Sequence, residues 1–199
     1  MDIADQVRSL RTSLDVQPDH MDVRKLFPMF APAGFFETGG WPGPFVLPAA
    51  KGVGITWALA SGEGGHRYLD RTVSAYWEES GVDWKTAALA NLRKASVERL
   101  YTHRMIRTNG ELFAVAMLHT DGWGASRLLL TDALQQLFPE GYRVAIPEMS
   151  CGLAISLNLE DTEQGTVQDI VAKCFGDGRR PLSRGVFEPQ ELVPDWAAV

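Results

Sequence analysis

The sequence predicts an α+β fold, a mostly antiparallel sheet of about five or more strands packed with helices. Three observations predict it. Strand-like and helix-like segments do not alternate strictly, as a doubly wound parallel fold would require. Asn109-Gly110 joins two strand-like segments, and this dipeptide favours a type I′ hairpin. A second strand pair, residues 143–146 and 153–159, is joined through Pro147-Glu148-Met149-Ser150-Cys151-Gly152. At 199 residues the chain fits one domain against a prior of about 150 residues per domain.

The elements follow in order. Residues 2–15 read as a short amphipathic helix, with Asp2 as cap and Ile3, Val7, Leu10 and Leu14 at helical spacing. Residues 27–50 form an aromatic arm rich in Pro and Gly. Its prolines exclude a continuous helix or a central strand, while Phe30, Phe35, Phe36, Trp41 and Phe45 make it too apolar for a disordered linker. The core spans residues 55–187. Residues 55–60 read as a buried strand and 66–69 as a short one. Asp70 caps a helix that ends at Gly81, with Val73, Tyr76 and Trp77 on one face. Asp83 caps a longer helix reaching about Leu100. After the hairpin and an Asp121-Gly122 turn, one helix covers residues 127–138 with Ser126 as its cap. Thr162 caps a last helix through Phe175, with Val167, Ile170, Val171 and Cys174 inward. The tail, residues 188–199, is extended.

Composition narrows the function classes. Lys plus Arg number 19 against 25 Asp plus Glu, a net charge of −6. That balance excludes a general nucleic-acid or anionic-membrane binder, which needs a positive face. No apolar run approaches the ~20 residues that span a bilayer. The acidic start, Met1-Asp2-Ile3-Ala4-Asp5, is no secretory signal. A cytoplasmic protein is expected, with Cys151 and Cys174 as reduced thiols. Ser61-Gly62-Glu63-Gly64-Gly65 lacks the Lys-Ser/Thr ending of a phosphate loop. His20, His66, His103 and His119 are isolated, without metal-ligand spacing. Neither a cofactor nor a metal is expected.

Three short stretches carry a likeness. They are Ala88-Leu89-Ala90-Asn91-Leu92-Arg93, Ala125-Ser126-Arg127-Leu128-Leu129-Leu130 and Val144-Ala145-Ile146-Pro147, with Pro181-Leu182-Ser183 at the end. In that order the chain, over roughly residues 55–187, resembles the YtpQ-like bacterial domain of unknown function. The resemblance implies a fold rather than a reaction. It also implies an Arg-Asp pair after Pro147, where this chain has Glu148-Met149.

Candidate chemistry comes from strand ends. Cys151, His119 and Asp121 could form a nucleophile, a base and an orienting acid, because a thiolate needs a base within hydrogen-bond reach. As core residues they would instead serve packing and hydrogen bonding. Trp41 and Trp123 sit beside Gly or Pro, where an exposed indole marks a binding surface. Asn91 lies on or beside an apolar helix face and must satisfy its amide, by a backbone hydrogen bond or a ligand. Arg127 binds a carboxylate or pairs with Asp121 or Asp132. The expected function is a non-catalytic binding or adaptor protein, immunity-like, with another protein as partner. The alternative is a small cytoplasmic enzyme with a cysteine nucleophile.

Overall fold

The computed structural model describes residues 21–36, 43–50, 52–60 and 66–192. The expected helix over 2–15, Trp41 and the end of the tail lie outside these residues. The fold is α+β, with two antiparallel sheets.

The first sheet comprises β1 (Leu26–Pro32), β2 (Leu47–Pro48), β3 (Val53–Ala60) and β4 (His66–Tyr68). Strand β3 is central: β1 pairs along one edge, and β2 and β4 share the other. Part of the expected irregular arm is therefore a regular strand. Pro28 and Pro32 forbid a central position, but β1 is an edge strand, where a missing donor is tolerated.

Two helices follow. In α1 (Arg71–Glu79), Asp70 Oδ1 accepts from the Val73 N–H, and in α2 (Trp84–Ser96), Asp83 Oδ1 accepts from that of Thr86. Each side-chain cap satisfies one orphan donor. Tyr76 is not on the inward face with Val73 and Trp77; it is exposed. Helix α2 stops at Ser96, short of the expected end.

The second sheet has the order β5-β6-β8-β7-β9: β5 (His103–Ile106), β6 (Leu112–Leu118), β7 (Tyr142–Glu148), β8 (Cys151–Ser156) and β9 (Val186–Phe187). The expected hairpin joins β5 to β6, but its turn is not type I′. Asn109 keeps a negative φ and only Gly110 is left-handed, at +89°. The Gly110 N–H donates to the Arg107 carbonyl, and the Arg107 N–H to that of Glu111. A turn followed by a left-handed glycine is the longer hairpin solution.

The expected helix over 127–138 is two pieces. A 3-10 segment covers Ala125–Leu129, Leu130 breaks the geometry at φ −88° and ψ 64°, and α3 spans Thr131–Leu137. Gly124, not Ser126, holds the N-cap position. The Ser126 Oγ is buried with no partner among the described residues. A Cβ at Gly124 would fall 2.0 Å from the Ser150 carbonyl oxygen, so only glycine lets this segment lie against the second sheet. Helix α4 (Asp161–Asp177) starts not at Thr162 but from a capping box between Glu160 and Glu163. The start of the expected extended tail is instead a short helix, α5 (Pro189–Leu192), which ends the described chain.

The larger core joins both sheets through α2 and the 3-10 segment. Trp57, Trp84, Phe30 and Leu92 meet Leu128, Met117 and Ile146 there. A smaller core lies beneath α4, where Val167 and Val171 cover Leu153, Ile155 and Ala145. Alternation along β7 and β8 sends neighbouring residues to opposite cores: Val144, Ile146 and Ala154 to the larger, Ala145, Leu153 and Ile155 to the smaller.

Candidate functional site

The loop after β6 builds the centre of the site. The Asp121 Oδ1 accepts from the Trp123 N–H at 2.9 Å, an Asx turn that folds the loop back. Both Asp121 oxygens accept from Arg127, Oδ2 at 2.7 Å and Oδ1 at 3.2 Å. The Arg127 side chain is buried beneath and also donates to the Ala95 carbonyl. Gly122 takes φ +82°, and a Cβ there would lie 2.6 Å from the His66 Nε2. The turn therefore excludes a side chain for two reasons, conformation and space. The Trp123 ring stacks on Phe27, at 4.6 Å between centroids, and meets the His66 ring at a tilt, at 4.5 Å. The loop of one sheet is thereby wedged against β1 and β4 of the other.

A cavity of about 400 Å³ opens beside this wedge. Met29, Ala60, Trp123 and Met149 form its apolar wall. Asp121, Glu148 and Ser150 line the polar side, and Arg179 and Arg180 stand at its exposed margin. The arginines are held there by the chain after α4. The Arg180 N–H donates to the Glu148 Oε1, the Met149 N–H to the Arg180 carbonyl, and the Leu182 N–H to the Pro147 carbonyl. Glu148 is buried, and its Oε2 accepts from both the amide and the hydroxyl of Ser150.

The sequence-derived candidates take different partners. Cys151 is the first residue of β8, not part of a loop, because the β7–β8 connection is only Met149-Ser150. Its side chain belongs to the small core beneath α4, with Cys174 packed against it. Burial, and then the neighbouring Cys174 and Glu148, push its thiol far above the ordinary range. The imidazole of His119 engages the Leu100 carbonyl through Nε2 at 3.2 Å. Burial, and then the Arg127 charge, lower its pKa. Burial acts to raise the Asp121 carboxyl, but the Arg127 guanidinium and the Trp123 N–H outweigh it and hold the value below ordinary. A nucleophilic thiolate needs the opposite surroundings, electropositive and partly open. The trio is not assembled: Cys151 engages Cys174, His119 engages Leu100, and Asp121 engages Arg127.

The binding candidates divide likewise. The Asn91 Nδ2 donates to the carbonyls of Val23 and Leu26, both at 2.9 Å, which ties α2 to the start of β1. Arg127 takes Asp121 rather than Asp132; Arg93 holds Asp132. Trp123 does reach the cavity, but as a buried ring packed against Phe27 and His66 rather than an exposed indole. The sequence reading missed Glu148, Ser150, Arg179 and Arg180 as one site. The one signal for it was adjacent arginines directly after a Gly176-Asp177-Gly178 helix stop.

Among the described residues, no group of three or more His, Cys, Asp or Glu is placed to hold a metal ion. No helix among them is long and apolar enough to cross a membrane. No family model matches the chain, and neither curated proteins nor solved structures give a match.

Proposed function

We propose that this chain is a non-catalytic binding protein and that the cavity between its two sheets receives the ligand. One observation carries the reading: an apolar wall and convergent polar groups share a concave space of about 400 Å³, within the size range of small-molecule sites. The reactive side chains support it from the other direction. Cys151, His119 and Asp121 are each committed to internal partners, and the thiol is held in its unreactive form. An adaptor with such a pocket couples a small molecule to whatever the outer surface meets.

A fragment screen by two-dimensional NMR tests this. Saturable hits that move the amides of Gly122, Trp123 and Ser150 are expected. Hits scattered away from those amides would overturn the reading. So would Cys151 labelling by iodoacetamide faster than a free model thiol.

A further inference from the structure

We infer that the cavity between the sheets selects small organic anions, a carboxylate or phosphate head read by Arg179 and Arg180 with an apolar body against Met29, Ala60 and Trp123. This rests on the binding role proposed above and adds the chemical class of the ligand.

The argument is a count of donors and acceptors. Asp121 and Glu148 are the two carboxylates of the wall, and both are already engaged. Asp121 takes two N–H groups of Arg127 and the Trp123 amide. Glu148 takes the amide and hydroxyl of Ser150 and the Arg180 amide. The arginines are the reverse. The guanidinium of Arg179 makes no hydrogen bond or ion pair among the described residues. That of Arg180 makes one long contact, Nη1 to the Tyr68 Oη at 3.4 Å. A guanidinium carries five N–H donors in a planar fork that matches carboxylate and phosphate oxygens. The cavity therefore holds a surplus of charged donors beside acceptors that are already engaged. A cationic or purely hydrogen-bond-donating ligand would meet two carboxylates that already accept three hydrogen bonds each. Backbone bonds on both sides of Arg180 fix the point from which its fork reaches, so ligand binding has only the side chain to order. The whole chain carries a net charge of −6, so attraction of an anion is a local property of this pocket and not of the molecule's field.

Isothermal titration of the full chain with benzoate, phenyl phosphate, benzamide and benzylammonium tests the inference. Benzoate or phenyl phosphate should bind, and the ratio between them reports which head group is preferred. Benzamide and benzylammonium should bind at least about tenfold more weakly, as loss of charge-assisted bonds implies. Arg179→Gln and Arg180→Gln, both at exposed positions, should each weaken the anion by about tenfold. Arg104→Gln on the far edge strand should not. Equal binding of benzamide and benzoate would overturn the anion preference while leaving the pocket as a binding site. Anion binding that survives both cavity substitutions, or no heat from either anion, would overturn it as well. Failure of the binding role itself shows separately, as fragments that never move the Gly122, Trp123 and Ser150 amides.

Discussion

The carboxylate of Asp121 turns the loop through the Trp123 amide and neutralises a buried guanidinium, so one side chain sets both the backbone and the charge of the site. His119 responds to the same arginine. Its folded pKa lies below the ordinary value of 6.5, through burial first and the Arg127 charge second. Between those two values the unfolded chain binds a proton that the folded chain refuses, so stability rises with pH across that window. Tm should fall as pH drops from about 7.5 to 5.5, and it should fall less in His119→Gln. Identical slopes in the two proteins would refute the assignment. The carboxylates of Asp121 and Glu163, held below their ordinary values, act at lower pH. Their stabilisation is present above the unfolded carboxylate value and is lost as pH falls through the folded one. The two windows are therefore separable in one titration.

At the scale of elements, the β5–β6 hairpin and α4 are clamped by one residue. Arg107 beside the turn donates to Glu163 through Nε at 2.8 Å and Nη2 at 2.9 Å, to Glu111 and to the Asn158 carbonyl. Glu163 is buried and also closes the capping box of α4. Arg107→Gln strands that carboxylate, so the urea midpoint should fall clearly further than in Arg104→Gln, whose side chain is exposed. Equal midpoints would show that the clamp contributes nothing. Asn109-Gly110 announced this hairpin because a turn is local chemistry, but Glu163 lies 56 residues from Arg107 and no local pattern pairs them. The same reason accounts for the other differences. Apolar spacing runs unbroken across residues 127–138 and hides the break at Leu130. Prolines exclude central strands, yet they do not say that a strand will lie at an edge. Ser150 and Gly152 resemble loop residues, so the local sequence places Cys151 in a loop. Its place on β8 follows from a connection of only two residues. The cavity was least legible, since its walls come from six separate stretches that meet only in three dimensions.

For the whole molecule, the larger core is shared by both sheets, so neither sheet keeps its packing without the other. Far-UV circular dichroism and tryptophan fluorescence should therefore report one coincident urea transition. Leu128, 2% exposed between the sheets, is a direct probe: Leu128→Ala should cost about 2–5 kcal/mol with the two curves still superimposed. Curves that separate would mean that the sheets unfold independently. The segment from Gly178 to Phe187 has a wider consequence. It covers the outer edge of β7 through the Pro181 bridge and β9, and the same few residues carry the two arginines of the cavity. A protease nick there would disarm the pocket and bare a ribbon of unpaired backbone at one stroke, inviting molecules to join edge to edge. Conversely, an occupant gripping those guanidinium groups would pin the flap down, so ligand supply would also guard against self-association.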